Sequence, residues 1–186
     1  MKSVNDLFYV QRIKAGDTRA FTGIVHKYQR MVLTIVLKLV ENREDAEDIT
    51  QEVFMKVFKS LGQFKEESEF STWLYRIAYN TTLSELRKRK LFFTSIDDYS
   101  AALNEPVEED LENHTTEEKL HYLDQALKQL APDDTFLITL YYMDKQTVEA
   151  ISKISGISVS NVKVKLHRIR KKLALEINKL MQDENR

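Results

Sequence analysis

The sequence predicts an all-α fold: two small helical domains joined by a flexible acidic linker, the C-terminal domain a helix-turn-helix. Three observations carry that expectation. Four glycines and two prolines among 186 residues leave little material for sheets joined by tight turns. Apolar residues recur at steps of three and four through both ends of the chain, the period of an amphipathic helix. The charges are also sorted along the chain. Residues 1–91 hold 16 Lys and Arg against 12 Asp and Glu, residues 92–118 hold none against 9, and residues 119–186 hold 12 against 8. A net charge of −1 therefore conceals two mildly basic blocks on either side of an acidic one, the arrangement by which basic lobes meet nucleic acid.

The totals exclude several classes. With 42% hydrophobic and 31% charged residues the composition is that of an ordinary soluble protein, and no apolar run approaches the roughly 18 to 20 residues that span a bilayer. Met1 to Val10 lacks the apolar core of a signal peptide, so a cytoplasmic, non-membrane protein is expected. The absence of cysteine rules out disulfides and thiolate metal sites, and the four histidines are scattered, so neither metal nor cofactor is expected. No nucleophile, base and oxyanion donors assemble in the pattern, which points away from an enzyme and a small-molecule substrate.

Taken in order, Asp6 to Ala15 reads as a short helix through Leu7, Val10 and Ile13, stopped by Gly16. Asp17 is the expected N-cap of the second helix, whose apolar positions, Ala20, Phe21, Ile24, Val25, Tyr28, Val32, Ile35, Val36 and Leu39, cover a wide arc and place it centrally in a bundle. A third helix starts near Glu44, after a break at Glu41-Asn42, and turns Ala46, Ile49, Val53, Val57 and Leu61 inward. Its acidic first turn, Glu44, Asp45, Glu47 and Asp48, suits the positive end of a helix dipole. The outer face gathers Asp48, Gln51, Glu52, Met55 and Phe58, a mixture suited to docking a larger partner; alternatively, Phe58 tucks against a neighbouring helix.

A loop follows, Gly62 to Ser68, then a helix from Glu69 to Lys90 ending in the run Arg87-Lys88-Arg89-Lys90. Its aromatics and basic end have the chemistry that grips single-stranded nucleic acid, bases on rings and phosphates on cations. Most of these rings are also needed for a core, and Trp73 is read as structural.

The C-terminal block holds two helical patterns. Val148, Ile151 and Ile154, opened by Thr147 and closed by Gly156, precede a long helix through Val159, Val162, Leu166, Ile169, Leu173, Ile177 and Leu180. The opposite face of the long helix carries Ser160, Lys163, Val164, His167, Arg168 and Lys171. A helix, a glycine-containing turn and a longer basic helix outline a helix-turn-helix. The same pattern also suits two ordinary helices with a solvated basic face.

Two longer strings sharpen the reading. Asp45-Ala46-Glu47-Asp48-Ile49-Thr50-Gln51-Glu52-Val53-Phe54, followed by Phe70 to Asn80, resembles region 2 of bacterial sigma factors of the extracytoplasmic-function (ECF) type. Leu130-Ala131-Pro132 and the segment Ile157 to Leu173 resemble their region 4. The resemblance implies a region 2 domain over 1–91, an acidic linker over 92–118 and a region 4 helix-turn-helix domain over 119–186. It implies an alternative sigma factor that directs RNA polymerase core to a promoter set, with the clamp helices and flap of the polymerase, promoter DNA and an anti-sigma factor as partners. Carried over, Asp45, Asp48, Gln51, Glu52, Met55 and Phe58 face the polymerase. Phe64, Lys65, Ser68 and Asn80 would capture a flipped base of the minus-10 element, Phe64 as a stacking plane. Lys56, Arg76 and the basic run Arg87 to Lys90, Arg87 and Lys88 first, would follow phosphates. Ser160, Lys163, Val164, His167, Arg168 and Lys171 would meet the minus-35 element, Val164 suiting a thymine methyl. Asn161 and Lys163 depart from the small or polar groups and Arg common at the start of this helix. Lys contacts as a point charge, without the bidentate fork of Arg.

The linker is rich in Asp, Glu, Asn and Ser and has no sustained period. It reads either as an inert tether or, by the resemblance, as an acidic segment passing through the polymerase. Two rivals stand beside the initiation factor: a stand-alone dimeric helix-turn-helix regulator, and a helical protein that only titrates a partner.

Overall fold

The computed structural model describes residues 4–40, 42–88 and 116–184, and among these eight α-helices and two 3-10 turns account for the regular structure. The chain divides into two compact units, Met1–Phe92 with Glu149–Ile157, and Phe93–Val148 with Ser158–Arg186.

In the first unit, α1 (Val4–Lys14) leads through a 3-10 turn (Thr18–Ala20) into α2 (Phe21–Leu37), then α3 (Arg43–Ser60), a second 3-10 turn (Leu61–Gln63) and α4 (Phe70–Lys88). Helix α3 packs against both α2 and α4, and α1 against α2. Ile24, Val32 and Val36 from α2, Ala46, Ile49, Val53 and Val57 from α3, and Leu74 and Ala78 from α4 form the buried interior. Each large aliphatic among them contributes about 1.5–3 kcal/mol by leaving water.

The ends of these helices follow local chemistry. Gly16 ends α1 at φ +100°, a left-handed conformation that costs glycine little. Asp17 does not cap as expected. Its carboxylate is taken by Arg12, whose Nε and Nη2 lie at 2.9 and 2.5 Å, and a 3-10 turn intervenes before α2. Asn42 is the N-cap of α3: its Oδ1 accepts from the amides of Glu44 and Asp45 at 2.8 and 3.3 Å, a contribution of about 1 kcal/mol. Helix α7 (Val148–Ser155) is grouped with this unit. It turns Ile151 and Ile154 inward and closes where Gly156 reaches φ +78° and Ser152 donates to the Ile157 carbonyl at 2.6 Å.

The second unit contains α5 (Thr116–Lys128), α6 (Pro132–Tyr142) and α8 (Val159–Glu184), with α5 and α6 both packed on α8. Helix α5 begins inside the stretch expected as linker; residues 92–115 of that stretch lie outside the described residues. Pro132 opens α6 at a position where a missing N–H costs nothing, and every residue from Asp134 to Leu140 is buried. Val162, Leu166, Ile169 and Leu173 line the buried face of α8, and Ser158 starts it by accepting from the Asn161 amide at 3.3 Å.

Candidate nucleic-acid interface

Three surfaces can be built from these elements. The first lies on α2 and α3. Met55 and Phe58 are 50% and 41% exposed and neighbours on one face of α3. They border an open groove of about 410 Å³ whose walls include Phe21 and Val25 of α2 and Gln51 and Phe54 of α3. Phe58 meets the Phe21 ring edge-on at 5.0 Å, and Phe21 in turn meets Phe54. One side of the Phe58 ring therefore leans on α2, as the alternative reading has it, while the other faces solvent. The polar part of the groove's lining is Gln29, Thr50, Gln51 and Lys59; elsewhere on α3, Asp48 is exposed and Asp45 and Glu52 are half-buried. Phe21 and Val25 join the surface beyond the residues expected from the sequence; the wide apolar arc of α2 is the signal that could have found them.

The second surface surrounds the loop between Phe64 and Phe70, where the expectation for Phe64 requires correction. Its ring is 3% exposed and lies in an aromatic cluster, edge-on to Phe70 at 5.5 Å and tilted against Trp73 at 5.2 Å. A buried ring cannot offer a stacking face; Phe64 anchors the loop instead. Trp73 belongs to that cluster as expected. Beyond Phe64 the chain turns outward: Lys65 is exposed, Glu66 holds φ +60°, and Ser68 is half-buried. On α4, Arg76, Asn80 and Arg87 are exposed, and their spacings of four and seven put them on one stripe. Lys88 is exposed but donates to Glu85 at 2.7 Å, a hydrogen bond that raises its amine above the ordinary lysine value. Lys56 pairs with Glu52 at 3.5 Å. Arg89 and Lys90 lie outside the described residues.

The third surface is the outer face of α8. Ser160, Lys163, Val164, His167 and Arg168 are exposed, Val164 at 47%, whereas Lys171 is half-buried. Three other cations of this helix are held by neighbours within the unit. Lys165 and Lys172 reach the buried carboxylate of Asp134 at 3.5 and 3.4 Å, and Arg170 donates from Nε to the Tyr142 hydroxyl at 2.7 Å. Its guanidinium lies 5.7 Å from the ring centres of both Tyr141 and Tyr142. The basic helix is thus divided between cations that brace the unit and cations that face outward.

Comparison with known proteins decides what these surfaces belong to. Residues 24–92 match Sigma-70 region 2 and residues 120–173 match Sigma-70, region 4. The ECF RNA polymerase sigma-E factor of Haemophilus influenzae is 30% identical over an alignment covering 97% of this chain and 99% of that protein. The chain belongs to the ECF sigma factors. Its similarity extends to RNA polymerase sigma-H factor of Pseudomonas aeruginosa, 29% identical with 94% of each chain covered. ECF RNA polymerase sigma factor SigW of Bacillus subtilis is likewise 29% identical, over 92% of this chain and 96% of that one. Solved structures share the sigma-factor fold. CnrH, determined in complex with the cytosolic domain of CnrY, superposes with a TM-score of 0.68 at 18% identity, covering 94% of this chain and 98% of that one. RpoE of Bartonella quintana, determined with the anti-sigma factor NepR, gives 0.63 at 20% identity, covering 87% and 98%.

Among the described residues no group of His, Asp and Glu is placed to hold a metal ion, and no helix is long and apolar enough to cross a membrane. Among the described acidic residues, Glu44 and Asp45 lie in the first turn of α3 and Asp134 is held in ion pairs.

Proposed function

We propose that this sigma factor works through the three surfaces in turn: the α2/α3 groove holds RNA polymerase core, the loop after Phe64 with the α4 stripe opens the minus-10 element, and the outer face of α8 reads the minus-35 element. The chain is an alternative sigma factor that directs RNA polymerase core to promoters and initiates DNA-templated transcription. It acts in the cell interior, where the polymerase is, and the polymerase carries out the chemistry.

The observation that carries the assignment of surfaces is the solvent-facing pair Met55 and Phe58 beside an unfilled groove. Exposed apolar groups rimmed by polar ones mark a protein interface. Gln51 and Lys59 at the groove would supply polar contacts around the apolar centre, with the acids Asp45, Asp48 and Glu52 further along α3. An anti-sigma factor is the second protein partner, as NepR is for RpoE in their complex, and covering the α2/α3 groove would exclude the polymerase.

On the DNA side, Lys65, Ser68 and Asn80 would surround a base extruded from the non-template strand, while Lys56, Arg76, Arg87 and Lys88 follow phosphates. Extrusion costs a few kcal/mol of stacking and pairing, and with Phe64 in the core the stacking plane must come from another group. Lys163, His167 and Arg168 would contact phosphates and base edges, and Val164 a thymine methyl. Family membership disfavours the stand-alone dimeric regulator.

Run-off transcription from linear genomic fragments, with core polymerase alone and with the chain added, tests the proposal. Specific transcripts that appear when the chain is added, and disappear with Met55→Glu, are expected. Transcripts unaffected by that substitution would remove the groove from the polymerase interface.

A further inference from the structure

The loop assigned to the minus-10 element is held from an element outside the three surfaces. Lys14, the last residue of α1, extends its ammonium to the carbonyl oxygen of Phe64 at 2.7 Å, in a part-buried contact joining residues fifty positions apart. The same ammonium lies 5.9 Å from the centre of the Phe64 ring. The Phe64 ring is wedged between Phe70 and Trp73, and Phe70 packs in turn on Tyr28 of α2 at 5.8 Å. Both ends of the intervening stretch, Phe64 and Phe70, are therefore fixed in one aromatic cluster, and Glu66 between them sits at φ +60°. A non-glycine residue keeps that conformation when its surroundings over-determine it. The carbonyl of Phe64 is the last backbone group before the chain turns outward. A charge-assisted hydrogen bond there sets the direction in which Lys65 to Ser68 leave the core.

We propose that Lys14 is a positioning residue for promoter opening: by holding the Phe64 carbonyl it fixes the exit angle of the loop, and so the placement of Lys65 and Ser68 against the unpaired strand. The proposal rests on the minus-10 reading of this loop. It accounts for the way Phe64 serves from inside the core, as one half of a clamp whose other half is Lys14. A group that receives an extruded base has to be held near its productive geometry before the base arrives, and a supporting residue outside the contact surface is how such geometry is kept.

The test compares Lys14→Met, which keeps length and loses the donor, with Lys14→Arg, which restores a donor. Trp73 is the sole tryptophan and touches Phe64, so acrylamide quenching of its emission in the free chain reports whether the cluster has loosened. In reconstituted holoenzyme, opening is followed on a template selected by the wild-type enzyme and on the same template with one non-template minus-10 base changed. For Lys14→Met, quenching is expected to rise about twofold and the preference between the two templates to fall about fivefold, the loss of one half-exposed charged hydrogen bond. Lys14→Arg is expected to recover most of both. Unchanged template preference in Lys14→Met, or equal loss in both variants, overturns the proposal. If wild-type holoenzyme opens no template, the minus-10 reading itself fails, while the quenching comparison still decides whether Lys14 holds Phe64.

Discussion

Tyr28 and Asp6 meet inside the first unit, the phenol of α2 donating to Oδ2 of the α1 carboxylate at 2.7 Å while Lys27 contacts the other oxygen at 2.5 Å. Asp6 is 5% exposed, so its carboxylate depends on these two donors in place of water. Burial, reinforced by the hydrogen bond to Asp6, pushes the Tyr28 phenol well above its ordinary value.

That shift has a defined consequence for stability against pH. The native state keeps the Tyr28 proton where the unfolded chain, with a phenol near the ordinary value of about 10, gives it up. The contribution of Tyr28 is therefore complete below pH about 10 and declines as the pH rises beyond it. Tyr28→Phe should cost about 1 kcal/mol at pH 8. The gap between wild type and variant in urea unfolding should narrow above pH about 10, and a gap that stays constant across that range would contradict the assignment.

Gly23 faces Tyr9 where α1 crosses α2, and a methyl group added there would lie 2.4 Å from Cε1 and 2.5 Å from Cζ of the ring. Alanine normally stabilises a helix interior by about 1 kcal/mol relative to glycine. Here the Tyr9 ring must move, so Gly23→Ala is expected to lower stability by about 1 kcal/mol or more. In a Tyr9→Ala background the same substitution should become stabilising. Thermal unfolding of the four proteins of this cycle measures the sign change, and additivity of the two substitutions would show that the contact does not set the crossing.

At the groove, Met55 is half-exposed and Phe58 is shared between solvent and the Phe21 ring. The two should separate binding from folding. Met55→Glu is expected to weaken association with core polymerase by about tenfold or more while shifting unfolding by less than about 0.5 kcal/mol. Phe58→Ala should lower both, because it also removes an edge-on aromatic contact of about 0.5–1.5 kcal/mol. Fluorescence anisotropy with labelled chain, beside urea unfolding, distinguishes the two patterns.

Much of this was legible in the sequence, and the exceptions have physical causes. Helices α1 to α4 and α8 have one buried face, so their apolar residues mark the helical period and the outward residues can be listed by subtraction. Lys163, Val164, His167, Arg168, Met55 and Phe58 follow from that subtraction and are exposed. Helix α6 is buried along Asp134 to Leu140 on every side, which erases the amphipathic signal. Asp17 and Asn42 are equally good caps by residue type; Arg12, five residues before Asp17, decides that only Asn42 acts as one. Phe64 lies in an irregular segment with no period to reveal its burial. Nothing local signals Lys14 either, since its partner is fifty residues away.

The division of cations along α8 leads to the last prediction. Lys165 and Lys172 converge on Asp134, while Lys163 and Arg168 project outward beside Val164. Charge alone would make these lysines equivalent on DNA. On the proposed minus-35 reading Lys163 serves promoter binding, whereas Lys172, which is 25% exposed, braces α6 against α8. Lys163→Ala should weaken holoenzyme binding to all promoters alike and reduce the salt dependence by about one phosphate contact. Lys172→Ala should leave that slope unchanged and cost stability, because it removes one of two cations from a buried carboxylate, by about 1–3 kcal/mol. Val164→Ser is expected to act on neither quantity but to shift base preference within the minus-35 element by about 1 kcal/mol or more, having lost an apolar contact with a thymine methyl. Filter binding across a salt series, urea unfolding and a minus-35 substitution panel read the three effects separately. A Lys172 variant that altered the salt slope as much as the Lys163 variant would show that both sides of the helix meet the DNA.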